Sequence, residues 1–188
     1  MTNLLTVQNP TWLLHPDYLK VVGQFTVNFG RIEWFLKRVI TKYIGCDEKV
    51  ARIFVGQARV VDLLATLSQI IVAGGIPEKQ SAHLSMLISA IRELNVHRNA
   101  IVHRAWFEFE GRTVLTNELV SKGKSETLYY SCDQIYELGK VAEAIIMHLG
   151  IHQAKPEDWE KLTAESGAWG PLTSSLGRDL PVVDMPDP

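Results

Sequence analysis

Thiols are scarce in this chain of 188 residues, with two cysteines in all. Cys46 and Cys132 follow no metal-ligand spacing and are too few for a disulfide framework, which points to a reducing compartment. No apolar run approaches the roughly 18 residues a membrane span requires. The opening Met1-Thr2-Asn3-Leu4-Leu5 lacks the basic region and sustained apolar stretch of a secretory leader. Excess positive charge is missing too: the formal net charge is −2, so indiscriminate coating of nucleic acid is excluded and any RNA contact has to come from a local patch. The expectation is a soluble cytoplasmic protein with no membrane partner. Internal repeats and low-complexity tracts are also lacking. What the chain does have is apolar content, 46%, ample for one core in a domain of this length.

The dominant pattern is helical. Pro16-Asp17 opens a seam of Tyr18, Val22, Phe25, Phe29, Ile32, Leu36, Val39 and Tyr43, whose alternating steps of four and three continue to Gly45. Gly23 and Gly30 lie seven apart within it; their shared face either admits a closely packed neighbouring helix or has no role. Asp47 caps an expected short helix over 48–55, which Gly56 ends, and another follows over 58–73 with Val61, Leu64, Leu67 and Ile71 on one side. After the turn Ala73-Gly74-Gly75-Ile76-Pro77, a long helix carries Leu84, Leu87, Ile88, Ile91 and Leu94.

Beyond that helix the period changes to two. Trp106, Phe107 and Phe109 alternate against Thr113-Val114-Leu115 across Glu110-Gly111-Arg112, which predicts a β-hairpin, with Glu126–Tyr130 a candidate third strand. Ser131 and Gln134 form a capping box for a last long helix through Ile135, Leu138, Ala142, Ile145 and Leu149, closed by Gly150. A short helix is expected from Pro156 to about Ser166. The fold class expected is mainly α: an antiparallel helical bundle with a small β-hairpin inserted before the last helix. Its parts are an N-terminal arm over 1–16, with Trp12-Leu13-Leu14 as a docking patch, a helical domain over 17–152 and an extended C-terminal tail over 153–188, where Trp159 or Trp169 docks.

One residue breaks the pattern. The apolar stripe of the long helix runs on through position 98 to Val102, and position 98 is arginine. A guanidinium on a buried stripe must be paired, or must face a partner or a ligand. Five residues on comes His103, and Asn99, four before it, shares its face and can orient the imidazole. Arg98 and His103 are offset by about 140° and about 7.5 Å of rise on a helix. One chain would splay them apart, whereas two copies about a twofold axis would converge both pairs on one phosphate. The similar pair Arg92 and His97 reads as solvated helix-flank residues.

The run Arg98-Asn99-Ala100-Ile101-Val102-His103 resembles the signature of the HEPN superfamily, compact helical bundles marked by Arg, a polar residue, a few more residues and His. The resemblance covers roughly residues 17–150, taking in the long opening helix, the motif near the end of a later helix and the closing helix. The hairpin departs from the plainest bundles of that family, which leaves the subfamily open. The resemblance implies a HEPN-like domain over 17–152 that acts as a metal-independent endoribonuclease, a homodimer with its motifs at the interface, plausibly a toxin or antiphage effector held by an antitoxin protein. In that reading His103 moves a proton to or from the ribose 2′-hydroxyl or the leaving oxygen, Arg98 offsets phosphorane charge and Asn99 positions either.

Glu33 is a supporting candidate for pairing with Arg98, or else an ordinary surface carboxylate; His97 and Arg104 are candidates for local positive charge. No cofactor is called for, and no metal site either, since His15, His83, His148 and His152 show no ligand spacing. The alternative is a non-catalytic HEPN-like dimer binding RNA, nucleotide or a protein partner, with Arg98 and His103 a structural interface pair.

Overall fold

The computed structural model describes residues 16–103, 105–109, 112–117 and 126–166, with side chains for 16–103 and 130–166. Helix α1 (Pro16–Ile44) begins where proline's fixed φ suits a first turn and Asp17 complements the helix dipole. It ends at Gly45, whose φ of +69° only glycine adopts cheaply. At 29 residues it is about 43 Å long. Helix α2 (Glu48–Val55) starts where the Asp47 carboxylate accepts from the Lys49 N–H at 2.8 Å. Helix α3 (Val60–Ala73) starts where Asp62 accepts from the Arg59 N–H and stops at Gly74 and Gly75, both at positive φ. Helix α4 (Glu78–His103) carries the motif in its last two turns. Helix α5 (Cys132–Ile151) opens on the reciprocal Ser131–Gln134 capping box. A 3-10 turn (Pro156–Asp158) and α6 (Trp159–Glu165) follow, with Trp159 buried.

The core is built on α1, which lies along α5 and also touches α2, α3 and α4. Phe25, Phe29, Ile32, Leu36 and Val39 of its seam are buried, with Tyr18, Val22 and Tyr43 packed at the ends. They meet Leu63, Leu64 and Leu67 of α3, Leu84, Leu87, Ile91 and Leu94 of α4, and Ile135, Ala142, Ile145 and Leu149 of α5. Each fully buried side chain of this size contributes about 1.5–3 kcal/mol, so the seam outweighs any single polar contact in the fold.

Four expectations are corrected. The fold is mainly helical, with six α-helices among the described residues, and a two-stranded hairpin is not what joins α4 to α5. That region holds β1 (Ala105–Phe109), β2 (Arg112–Asn117) and β3 (Glu126–Tyr129) as one antiparallel three-stranded sheet in the order β1-β2-β3. Trp106 pairs in register with Leu115, and Leu115 with Leu128; the third strand covers an edge that a marginal hairpin would leave open. Gly23 and Gly30 are exposed and a Cβ at either meets nothing within 4 Å, so no helix packs on their face. In α3 the buried side is Val60, Leu63, Leu64 and Leu67, while Val61 is 61% exposed. Helix α5 runs through Gly150 to Ile151 rather than closing on the glycine. The arm over 1–15, Trp12-Leu13-Leu14 and Trp169 lie outside the described residues.

One polar group is sealed into the α1–α5 contact. Asn28, fully buried, donates from Nδ2 to the Glu143 carboxylate at 3.1 Å and to the Gly139 carbonyl at 3.4 Å, and accepts from Gln24. Both bonds to α5 need a donor at position 28. Asn28→Ala is expected to lower the unfolding free energy by about 1–3 kcal/mol in urea titration. Asn28→Asp, which sets a second carboxylate against Glu143, is expected to cost more than Asn28→Ala at neutral pH. Equal costs would mean that the donor pattern is unimportant.

Candidate functional site

Past Leu94 the buried positions of α4 are His97, Ala100 and Ile101, while Val102 is 37% exposed. The stripe therefore turns one residue away from the course expected through Arg98. Arg98 lies at its margin, half-buried, with its guanidinium 5.7 Å above the ring of Phe29 on α1. This cation–π contact lets a charged group cover a core aromatic while its N–H edge faces out.

That edge meets the rest of the motif. Arg98 Nη1 donates to Asn99 Oδ1 at 3.0 Å and lies 2.9 Å from His103 Nε2. The expectation that one chain splays Arg98 and His103 apart is thus corrected: the long arginine side chain spans the rise between the two positions. Since a guanidinium only donates, Nε2 accepts, and His103 is neutral with its proton on Nδ1 in this arrangement. Asn99 and His103 are exposed, and so are Arg92 and Val96, which share their face of α4. Arg92 is solvated, as expected.

His97 is not. It is 7% exposed, and its Nδ1 is 3.0 Å from the hydroxyl of buried Tyr130, which follows β3. Burial pushes its pKa below the ordinary histidine value, so a buried neutral imidazole supplies no positive charge for RNA. The reason is the turned stripe, which sends position 97 into the core. Glu33, half-buried on α1, makes no ion pair with Arg98 among the described residues. Arg104 lies outside the described residues.

Sequence reasoning missed a second cluster, at the other end of the bundle. His83 of α4, His148 of α5 and His152 just beyond α5 are all buried. His83 Nδ1 is 2.8 Å from His152 Nε2, and His83 Nε2 is 3.2 Å from His148 Nδ1. His152 Nδ1 is 2.9 Å from the Tyr43 hydroxyl, which donates to Gln80 Oε1 at 3.0 Å. With that hydroxyl proton committed to Gln80, one assignment satisfies every link. His152 donates to Tyr43, His83 donates to His152 and His148 donates to His83, all three rings neutral. Lys42 Nζ donates to the carbonyls of His152 and Ala154, satisfying the end of α5. The signal was present: His148 and His152 are four apart, and His83 stands one turn before Leu87 on the apolar stripe. Among the described residues no group of three or more His, Cys, Asp or Glu is arranged to hold a metal ion.

In comparisons with known proteins, no family model, no curated protein and no solved structure matches the chain. No helix among the described residues is long and apolar enough to cross a membrane.

The histidine chain has a pH signature. Burial, with His148 adding to it, pushes His83 down to about 4; burial, with His83, Lys42 and His148 adding to it, pushes His152 down to about 3. A proton added to His83 Nε2 or to His152 Nε2 would set N–H against N–H. The folded state therefore binds fewer protons than the unfolded chain below the ordinary histidine range near 6.5. Stability is full above that range and lost as pH falls from about 6.5 toward 4, by up to about 1.4 kcal/mol per pH unit for each histidine. Urea midpoints measured at pH 7 and pH 5 should fall accordingly, and His83→Leu should flatten the dependence. A slope unchanged in that variant would mean the cluster does not govern acid sensitivity.

Proposed function

We propose that the chain is a metal-independent endoribonuclease that cuts RNA by attack of the ribose 2′-hydroxyl, leaving a 2′,3′-cyclic phosphate and a 5′-hydroxyl. The observation that carries this reading is the 2.9 Å contact between Arg98 Nη1 and His103 Nε2 at an open face of α4, with Asn99 on the same guanidinium nitrogen. A phosphodiester oxygen is a stronger acceptor for a guanidinium than an imidazole is. An arriving phosphate would draw Arg98 to itself and free the Nε2 lone pair beside the scissile group. His103 then takes the 2′-hydroxyl proton or, as imidazolium, protonates the leaving 5′-oxygen. Arg98 offsets the charge building on the phosphorane, and Asn99 holds the guanidinium or the phosphate in place. DNA, without the nucleophile, resists.

The exposed face of Arg92, Val96, Asn99 and His103 fits a homodimer with both motifs at its centre, though Arg98 and His103 do not need the partner in order to meet. Role as a toxin or antiphage effector, a partner antitoxin and HEPN membership belong to the same proposal and rest on the motif. Free cysteines at Cys46 and Cys132 fit a reducing, cytoplasmic setting. A second reading is favoured by the same geometry. Arg98 is already satisfied by Phe29, Asn99 and His103, as a structural pair would be in a dimer that only binds RNA, nucleotide or protein.

The two readings separate in one assay, single-stranded RNA incubated with purified protein in EDTA. Wild type is expected to generate cyclic-phosphate ends, and His103→Ala and Arg98→Ala to lose about 10²–10⁴-fold in rate. Asn99→Ala should lose about tenfold, as expected of a positioning hydrogen bond. Equal activity in wild type and variants would refute the assignment, and RNA binding without cleavage would give the second reading.

A further inference from the structure

A cleft of about 610 Å³ opens between α1, α2 and the end of α5, on the side of α1 opposite its buried seam. Its walls carry Lys37, Arg38 and Lys42 from α1 and Arg52 from α2, against one carboxylate, Glu48. Four cations around one acid is a strong local excess in a chain whose net charge is −2.

Those cations keep spare donors. Lys37 Nζ spends one hydrogen on the Gly56 carbonyl at 2.7 Å, and Lys42 Nζ spends two on the carbonyls at the end of α5. An ammonium has three to give. Glu48 is engaged by Arg52 at 3.1 Å. These bonds tether the long side chains to the cleft walls, so less freedom is lost when an anion arrives.

Two further observations point to what the cleft takes. Trp34, 53% exposed, presents its indole at the cleft with the Arg38 guanidinium 4.9 Å from the ring centre. Such a platform suits a flat ring inserted or stacked against it. Gln153 Nε2, also in the lining, is a buried donor with no acceptor among the described residues, whereas buried amides ordinarily have one.

We infer that this cleft binds a nucleoside phosphate, with the base against Trp34, the phosphates among Lys37, Arg38, Lys42 and Arg52, and an acceptor for Gln153. A free nucleotide is favoured over a polynucleotide strand because the volume lies within the roughly 300–1,000 Å³ of small-molecule pockets. The inference stands apart from the motif: these residues lie on α1, α2 and the end of α5, and Arg98, Asn99 and His103 are absent from the lining.

Isothermal titration of the full chain with adenosine diphosphate tests this. Saturable binding is expected, weakened about tenfold by Trp34→Ala and about tenfold by Arg38→Ala, both at exposed positions, with the helical circular dichroism retained. His103→Ala should bind like wild type. Inorganic pyrophosphate, which lacks the ring, should bind more weakly and be indifferent to Trp34→Ala. The inference is overturned by no saturation up to about 1 mM, the weak end of specific binding, or by affinity unchanged in both cleft variants. Loss of binding in His103→Ala would move the nucleotide to the motif, and pyrophosphate binding as tightly as the nucleotide would remove the base subsite. A single-stranded RNA that binds more tightly than the nucleotide and is weakened by Trp34→Ala would make the cleft a strand site instead. The RNA cleavage assay decides the motif independently, so failure of one reading leaves the other standing.

Discussion

Burial of one face of α1 is the constraint from which the rest follows. Phe25, Phe29, Ile32, Leu36 and Val39 touch a shared core to which α3, α4 and α5 each contribute a row of aliphatic side chains. With that face committed inward, the opposite face has to carry the polar and charged groups, and there Lys37, Arg38 and Lys42 stand together beside α2. The same commitment aims Phe29 at the end of α4, where its ring supports the guanidinium of Arg98. The motif and the basic cleft are consequences of two sides of one helix.

Charge placement in this bundle follows a simple rule: the buried histidines are neutral and bonded, and what is charged reaches an edge. His83, His97, His148 and His152 are buried, and burial pushes all four below the ordinary histidine range. Each has a hydrogen-bonding ring or hydroxyl within 3.2 Å. Arg98 cannot shed its charge, and it lies at the boundary where one side contacts a core ring and the other meets Asn99 and His103. A titratable imidazole is tolerated inside because it can be neutral; a guanidinium is not, because it cannot.

The motif's internal contact also changes what a second copy would be needed for. If side-chain length alone joins Arg98 to His103, symmetry is not required to assemble the pair. A dimer would instead enclose it, excluding water from a phosphate held at the exposed face of α4. That distinction separates a site built by association from one only shielded by it.

Helix content, caps and the α1 seam were legible in order along the chain, because Asp47, Ser131 with Gln134, and Gly45 act within a few residues of themselves. The Arg98–Asn99–His103 run was legible as a pattern for the same reason. Where each side chain went was not. A helical stripe read at a fixed 3.6 residues per turn put Arg98 in the core and His97 in solvent, and the packing of α4 against its neighbours reversed their order by one position. The chain of histidines, drawn from α4 and from α5 to its end, and the cleft between α1 and α2 join residues far apart in sequence, Tyr43 and His152 among them at 109 positions. Local periodicity is silent about such pairs. The sequence by itself determined which segments become helices and which face α1 would bury; the tertiary structure alone decided how α3 and the end of α4 are turned and which polar groups meet, because that depends on how the buried faces rotate and slide against one another.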